Sequence, residues 1–125
     1  MTYRTSRGHF ERLVEESVRE LPEEFLEYFT NITIMVEDYP SRQEAGKMDI
    51  PRDELLGLFS GTPYPSKGGF FNVPNPFPDT IILFKRNIER LCSTERELIE
   101  EIRKTLIHEV GHYFGLSEED LRRYE

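Results

Sequence analysis

Cys92 is the only cysteine in the chain, so no internal disulfide can form and a reducing compartment is the natural setting. A lone cysteine of this kind reads as a small buried apolar residue rather than a reactive thiol. No apolar run approaches the roughly 20 residues needed to cross a bilayer. The amino terminus, Met1-Thr2-Tyr3-Arg4-Thr5-Ser6-Arg7, leads into a charged amphipathic stretch and not into an apolar signal core. A soluble, cytoplasmic protein with no membrane partner is expected. No Lys/Arg-rich block occurs either, and 24 acidic against 16 basic residues leave a formal charge of -8, which disfavours a nucleic-acid partner. Repeats and low-complexity segments are absent as well.

What is present fits one compact unit. A chain of 125 residues divided in two would leave each half near the lower limit for burying a core, so residues 1–125 read as a single domain. Nine Phe and six Tyr supply large side chains for that core despite 32% charged residues.

Phe10, Leu13, Val14, Val18 and Leu21 recur at three- and four-residue steps, the pattern of a surface helix with one buried stripe. Pro22 interrupts it and suits the opening of a second short helix carrying Phe25, Leu26 and Phe29. Asn31 to Glu37 alternates, with Ile32, Ile34 and Val36 on one side, which predicts a half-buried strand. Leu55 to Phe59 and Thr80 to Phe84 are two further short strands, and residues 41–54 are polar and mixed. Between those strands, Ser60 to Asp79 carries five prolines and reads as an irregular loop whose aromatics Tyr64, Phe70, Phe71 and Phe77 suit either a binding segment or packing over the sheet.

The clearest start signal belongs to the last long helix. Thr94 as cap and Glu97 three residues on form the capping-box pattern, ahead of a buried face of Leu98, Ile99, Ile102, Leu106 and Val110. On that helix stands His108-Glu109-Val110-Gly111-His112, the motif H-E-x-x-H. At about 100° per residue the two histidines lie only about 40° apart on the helix surface, so both imidazoles can reach one ion. Zinc accepts histidine nitrogens at about 2.0–2.1 Å, and the intervening Glu109 is held beside the ion, where it can take a proton from metal-bound water. Random placement in a chain of this composition yields the pattern roughly once in a hundred. The late-helix context and the use of two of the chain's three histidines favour Zn2+ over two solvent-facing histidines without metal.

A zinc site needs a third protein ligand. Gly115 can take the left-handed conformation that ends a helix, and the reversal would carry Leu116-Ser117-Glu118 back toward the ion. Glu118 is the first candidate, with Glu119 and Asp120 as near alternatives and His9 as a distant one. These acids also suit the first turn of a short terminal helix capped by Ser117.

The stretch from His108 to Glu118 resembles the signature H-E-x-x-H-x-x-G-x-x-D/E of the small bacterial zincin-like metallopeptidases, also called minimal metalloproteases, and the likeness extends over most of the chain. The resemblance implies an α+β zincin-like fold: a small twisted mixed sheet of about three or four strands packed on helices, with the active-site helix near the C-terminus. It also implies zinc held by His108, His112 and Glu118, with Glu109 as base. The chain departs from the larger zincin groups. Glu118 stands where metzincins have a third histidine, and Met1, Met35 and Met48 all precede the motif, so their downstream methionine turn is missing. The usual oxyanion donor is missing too; Tyr113, Tyr124 and Arg86 are candidates, although packing or surface roles suit each better.

Two functions follow from these residues. One is a zinc-dependent peptidase acting on short or unfolded peptides laid against a strand edge. The other is a zinc-binding structural or interaction protein without turnover. Two histidines and a carboxylate also suit ferrous iron, but the adjacent glutamate favours hydrolysis.

Overall fold

The computed structural model describes residues 2–60 and 79–124. The first helix, α1 (Arg7–Arg19), begins before the expected Phe10, because the Ser6 hydroxyl accepts the His9 amide hydrogen and caps it. Its stripe of Phe10, Leu13 and Val14 is buried as the periodicity requires. Leu21 is buried beyond the helix end. Pro22 opens α2 (Glu23–Leu26), which tightens into a single turn over Glu27–Phe29.

Strand β1 (Ile32–Glu37) alternates between half-buried and exposed positions until Val36, which is buried. The mixed segment after it holds an unexpected helix, α3 (Arg42–Met48). Ser41 and Glu44 cap it reciprocally, each side chain accepting from the other's backbone amide. Strand β2 (Gly57–Ser60) starts two residues later than expected, since Leu55 and Leu56 belong to the approach to it. Strand β3 (Asp79–Phe84) runs at the centre of a three-stranded sheet of order β1-β3-β2. It pairs parallel with β1, Ile32 opposite Asp79 through Glu37 opposite Phe84, and antiparallel with β2, Gly57 opposite Leu83 through Ser60 opposite Thr80. Ser60 and Asp79, expected in the loop, are therefore strand residues. The remainder of that loop and its four aromatics lie outside the described residues.

A second unexpected helix, α4 (Lys85–Arg90), follows β3 directly. Two of its charges do not mark a solvated face: Lys85 and Glu89 are both buried and pair at 2.9 Å. Glu89 also accepts from the Thr5 amide and hydroxyl, at 2.8 and 2.9 Å, while Lys85 donates to the Thr5 carbonyl at 2.6 Å. This pair ties the N-terminal segment to α4.

Helix α5 (Glu95–Tyr113) is the backbone of the molecule. Thr94 caps it by accepting from Glu97, and the Glu97 carboxylate reaches back one residue further than the cap, to the Ser93 amide at 2.5 Å. Leu98, Ile102, Leu106, Ile107 and Val110 are fully buried against α1 and the sheet, while Ile99 is only partly buried. Gly115, at φ 81°, ends the helix as expected. The Gly115 amide donates to His112 O and the Leu116 amide to Gly111 O, at 3.1 and 2.9 Å, the paired bonds of a Schellman stop. After this reversal α6 (Glu118–Arg122) closes on the core through Leu121. The fold is α+β, and no helix among the described residues is long and apolar enough to cross a membrane. Cys92 is buried, donates weakly to Ile88 O, and is pushed up to about 11 by burial and then by Glu101, Glu97 and Glu89.

Candidate metal centre

His108 and His112 stand one turn apart near the end of α5, their ring centroids separated by 5.7 Å. The Schellman stop turns the chain so that the first residue of α6 faces them. Glu118 Oε1 lies 2.7 Å from His112 Nε2. One ligand atom each from His108, His112 and Glu118 falls within 4.8 Å of the other two, and His112 and Glu118 are exposed. Two imidazoles and one carboxylate are the donor set that zinc hydrolases use, and three protein ligands leave a position open. The residues present therefore fit a zinc ion.

The other candidate ligands are placed elsewhere. Asp120 is spent on the cap of α6, where its carboxylate accepts from the Ser117 amide at 3.1 Å. That hydrogen bond, with the Ser117 hydroxyl next, holds it below its ordinary value. Glu119 is exposed and does not join the group. His9 pairs with Glu95 at 2.5 Å, at the far end of α5 and about 20 Å along the helix axis from His108.

Glu109, between the two histidines in the chain, packs against β2. Its stem runs beside Gly57, where an added Cβ would stand 3.4 Å from Glu109 Cγ and 2.9 Å from Thr105 Cγ2. Burial in this position raises the affinity of its carboxyl for a proton, against an opposing pull from His112 and His108. A cleft of about 400 Å³ opens beside His108 and Glu109, with Ile50, Leu55 and Leu56 on one side and Thr105 and Lys104 on the other. A larger groove of about 600 Å³ between α1 and β1 contains no residue of the motif.

The three oxyanion candidates have other partners. Tyr113 stacks on Phe59 with centroids 3.9 Å apart and donates its hydroxyl to Asp79 at 3.1 Å. Tyr124 packs on Phe25, and Arg86 binds Glu89 at 3.1 Å. Sequence reasoning had no means of finding Gly57, which meets Glu109 only through tertiary approach, whereas Thr105 stands one helical turn before Glu109 on the same face of α5 and was open to that reading. The apolar pair Leu55-Leu56 was visible, but as strand core rather than as a cleft wall.

Residues 29–125 match a family model described as zincin-like metallopeptidase. The chain belongs to the zincin-like metallopeptidase family. The match takes in every element from β1 onward, including the whole H-E-x-x-H helix and α6, and leaves α1 and α2 outside it. The small mixed sheet and the late helix of this zincin-like chain agree with the fold that its signature implied. No curated protein matches the chain in sequence.

Proposed function

We propose that the protein is a zinc-dependent peptidase in which His108, His112 and Glu118 hold the metal and Glu109 is the general base. The observation that carries this reading is the convergence of three ligand atoms within 4.8 Å beside a half-buried carboxylate on the same helical turn as the histidines. Zinc in such a site supplies Lewis acidity, acidifying water and polarising a carbonyl.

The chain's own residues supply the rest. The Glu109 carboxylate accepts a proton from the attacking water and returns it to the departing amine. Partial burial raises its affinity for a proton above that of a free carboxylate, which suits a group that must take a proton and give it up. The outer edge of β2 carries no strand partner among the described residues, so an extended peptide can pair with it by main-chain hydrogen bonds. The cleft between Leu55, Leu56 and Thr105 would then receive one apolar side chain of that peptide. Short or unfolded peptides meet these requirements, because their backbone is extended and free to pair.

Incubation of the zinc-loaded protein with a peptide library tests the proposal. Cleavage that disappears in Glu109→Gln with zinc retained supports it. Zinc bound at one equivalent with no cleaved peptide would favour a binding or structural role instead.

A further inference from the structure

Gly111 is a variable position of the H-E-x-x-H motif, yet its surroundings here admit no side chain unless Leu121 moves. A Cβ added to it would stand 2.1 Å from Leu121 Cδ2, and 3.2 and 3.3 Å from Leu121 Cγ and Cδ1. The side chain of Leu121 fills the notch that the missing Cβ creates, and it is fully buried there. Gly111 also accepts the Leu116 amide through its carbonyl, at 2.9 Å. The same residue thus fixes the turn out of α5 and the seat of α6.

Helix α6 has only five residues and cannot hold its own shape or position without such contacts. Its Ser117–Asp120 capping box sets where the helix starts, at 3.1 Å in both directions. That box sets no distance to α5. Leu121 is the one fully buried residue of α6, and Glu118, three residues before it on an adjoining face, is exposed. The Schellman stop turns Glu118 toward His112 and Arg103 holds the Tyr124 carbonyl at 2.6 Å, while the depth at which Leu121 sits in the notch is the contact of α6 itself that bears on the 2.7 Å between Glu118 and His112.

We propose that the Gly111–Leu121 contact is a positioning device for the third metal ligand, so that it sets zinc affinity through Glu118. This rests on the reading that His108, His112 and Glu118 hold the metal. An alanine at 111 would force the Leu121 side chain to retreat by about 1 Å or more before the carbons reach ordinary contact, and because that side chain is fully buried, its retreat carries α6 with it. Alanine also favours helix over glycine, so any loss in metal binding would not come from a weakened α5.

The test is a double-mutant cycle on zinc dissociation constants, measured by competition with a chromophoric chelator on the full chain. Gly111→Ala is expected to weaken zinc binding about tenfold or more, as removal of ligand-orienting groups does elsewhere. In a Glu118→Ala background the same substitution is expected to change affinity less than twofold, because the ligand it positions is gone. A Gly111→Ala affinity within twofold of wild type overturns the proposal, as does a loss that adds fully to that of Glu118→Ala. If Gly111→Ala does not reach the wild-type circular dichroism spectrum, Leu121→Val, which vacates the notch, runs through the same cycle, and the same two results support or overturn the proposal. Should wild type bind no zinc, or His112→Ala bind it equally well, the metal reading itself falls and this proposal falls with it.

Discussion

Gly57 on β2 and Thr105 on α5 approach so closely that the strand has no room for a side chain, the Thr105 Cγ2 lying 2.9 Å from where a Cβ would stand. Thr105 cannot turn away freely. It is buried, β-branched, and its hydroxyl donates to Glu101 O at 2.8 Å, which fixes the rotamer and aims the methyl at the strand. The stem of Glu109 shares this contact, so the strand edge and the proposed base are held in one register.

Gly57→Ala should therefore displace Glu109 while leaving the histidines alone. A drop in kcat of about tenfold to a hundredfold is expected, on the scale of an ångström's misplacement in an active site. Zinc stoichiometry should stay at the wild-type level. Gly57→Ala/Thr105→Ser, which removes the opposing methyl and keeps the hydroxyl, should recover most of the loss. Steady-state kinetics on a cleaved library peptide would show it, and no recovery would mean that the contact does not act through Thr105.

Glu109→Gln keeps the shape of the side chain and removes its capacity to accept a proton. Peptide cleavage should fall by about a hundredfold to ten-thousandfold, the contribution of a positioned acid–base group. Elemental analysis of the same preparation should find zinc unchanged, since Glu109 does not belong to the ligand group.

The candidate site was more legible in the sequence than the scaffold around it. The motif, the glycine stop at Gly115 and the return of Glu118 are encoded within one turn of helix and one reversal, and local geometry is enough to bring them together. Thr94 and Gly115 likewise mark the two ends of α5 by local chemistry. Helix α3 carried a readable signal too, Ser41 followed three residues later by Glu44, which its polar surroundings obscured. Helix α4 carried none. Lys85 and Glu89 look like solvent-facing residues, and their burial is made tolerable by their own pairing together with Thr5, which arrives from the far end of the chain. Gly57 and Gly111 belong to the same class, because what excludes a side chain at each comes from another element.

The buried pair on α4 governs how the fold responds to acid. Burial alone would raise Glu89, but the hydrogen bonds from Lys85 and then Thr5 outweigh it and hold the carboxyl below its ordinary 4.5. The resulting stabilisation is complete above pH 4.5 and is lost as pH falls through the lowered folded value. Glu89→Gln should destabilise the protein by about 3–5 kcal/mol near neutrality, the scale for a buried charge left without its partner. Its stability should also fall less steeply than wild type's below pH 4.5. Urea titrations from neutrality into the acid range measure both; a variant with the wild-type acid profile would show that Glu89 is not a source of it.

Cys92 should stay unreactive toward a disulfide reagent at mildly alkaline pH in the native protein, its thiol being buried and pushed up to about 11. Labelling should begin only as urea unfolds the chain. Fast labelling without denaturant would contradict the burial of this residue.

The proposed chemistry turns on whether one metal ion sits between α5 and α6. Elemental analysis of protein expressed with zinc and desalted should find one equivalent in wild type, and close to none in His112→Ala of unchanged circular dichroism. Wild-type protein that holds no zinc, or a His112→Ala variant that holds as much, would contradict it.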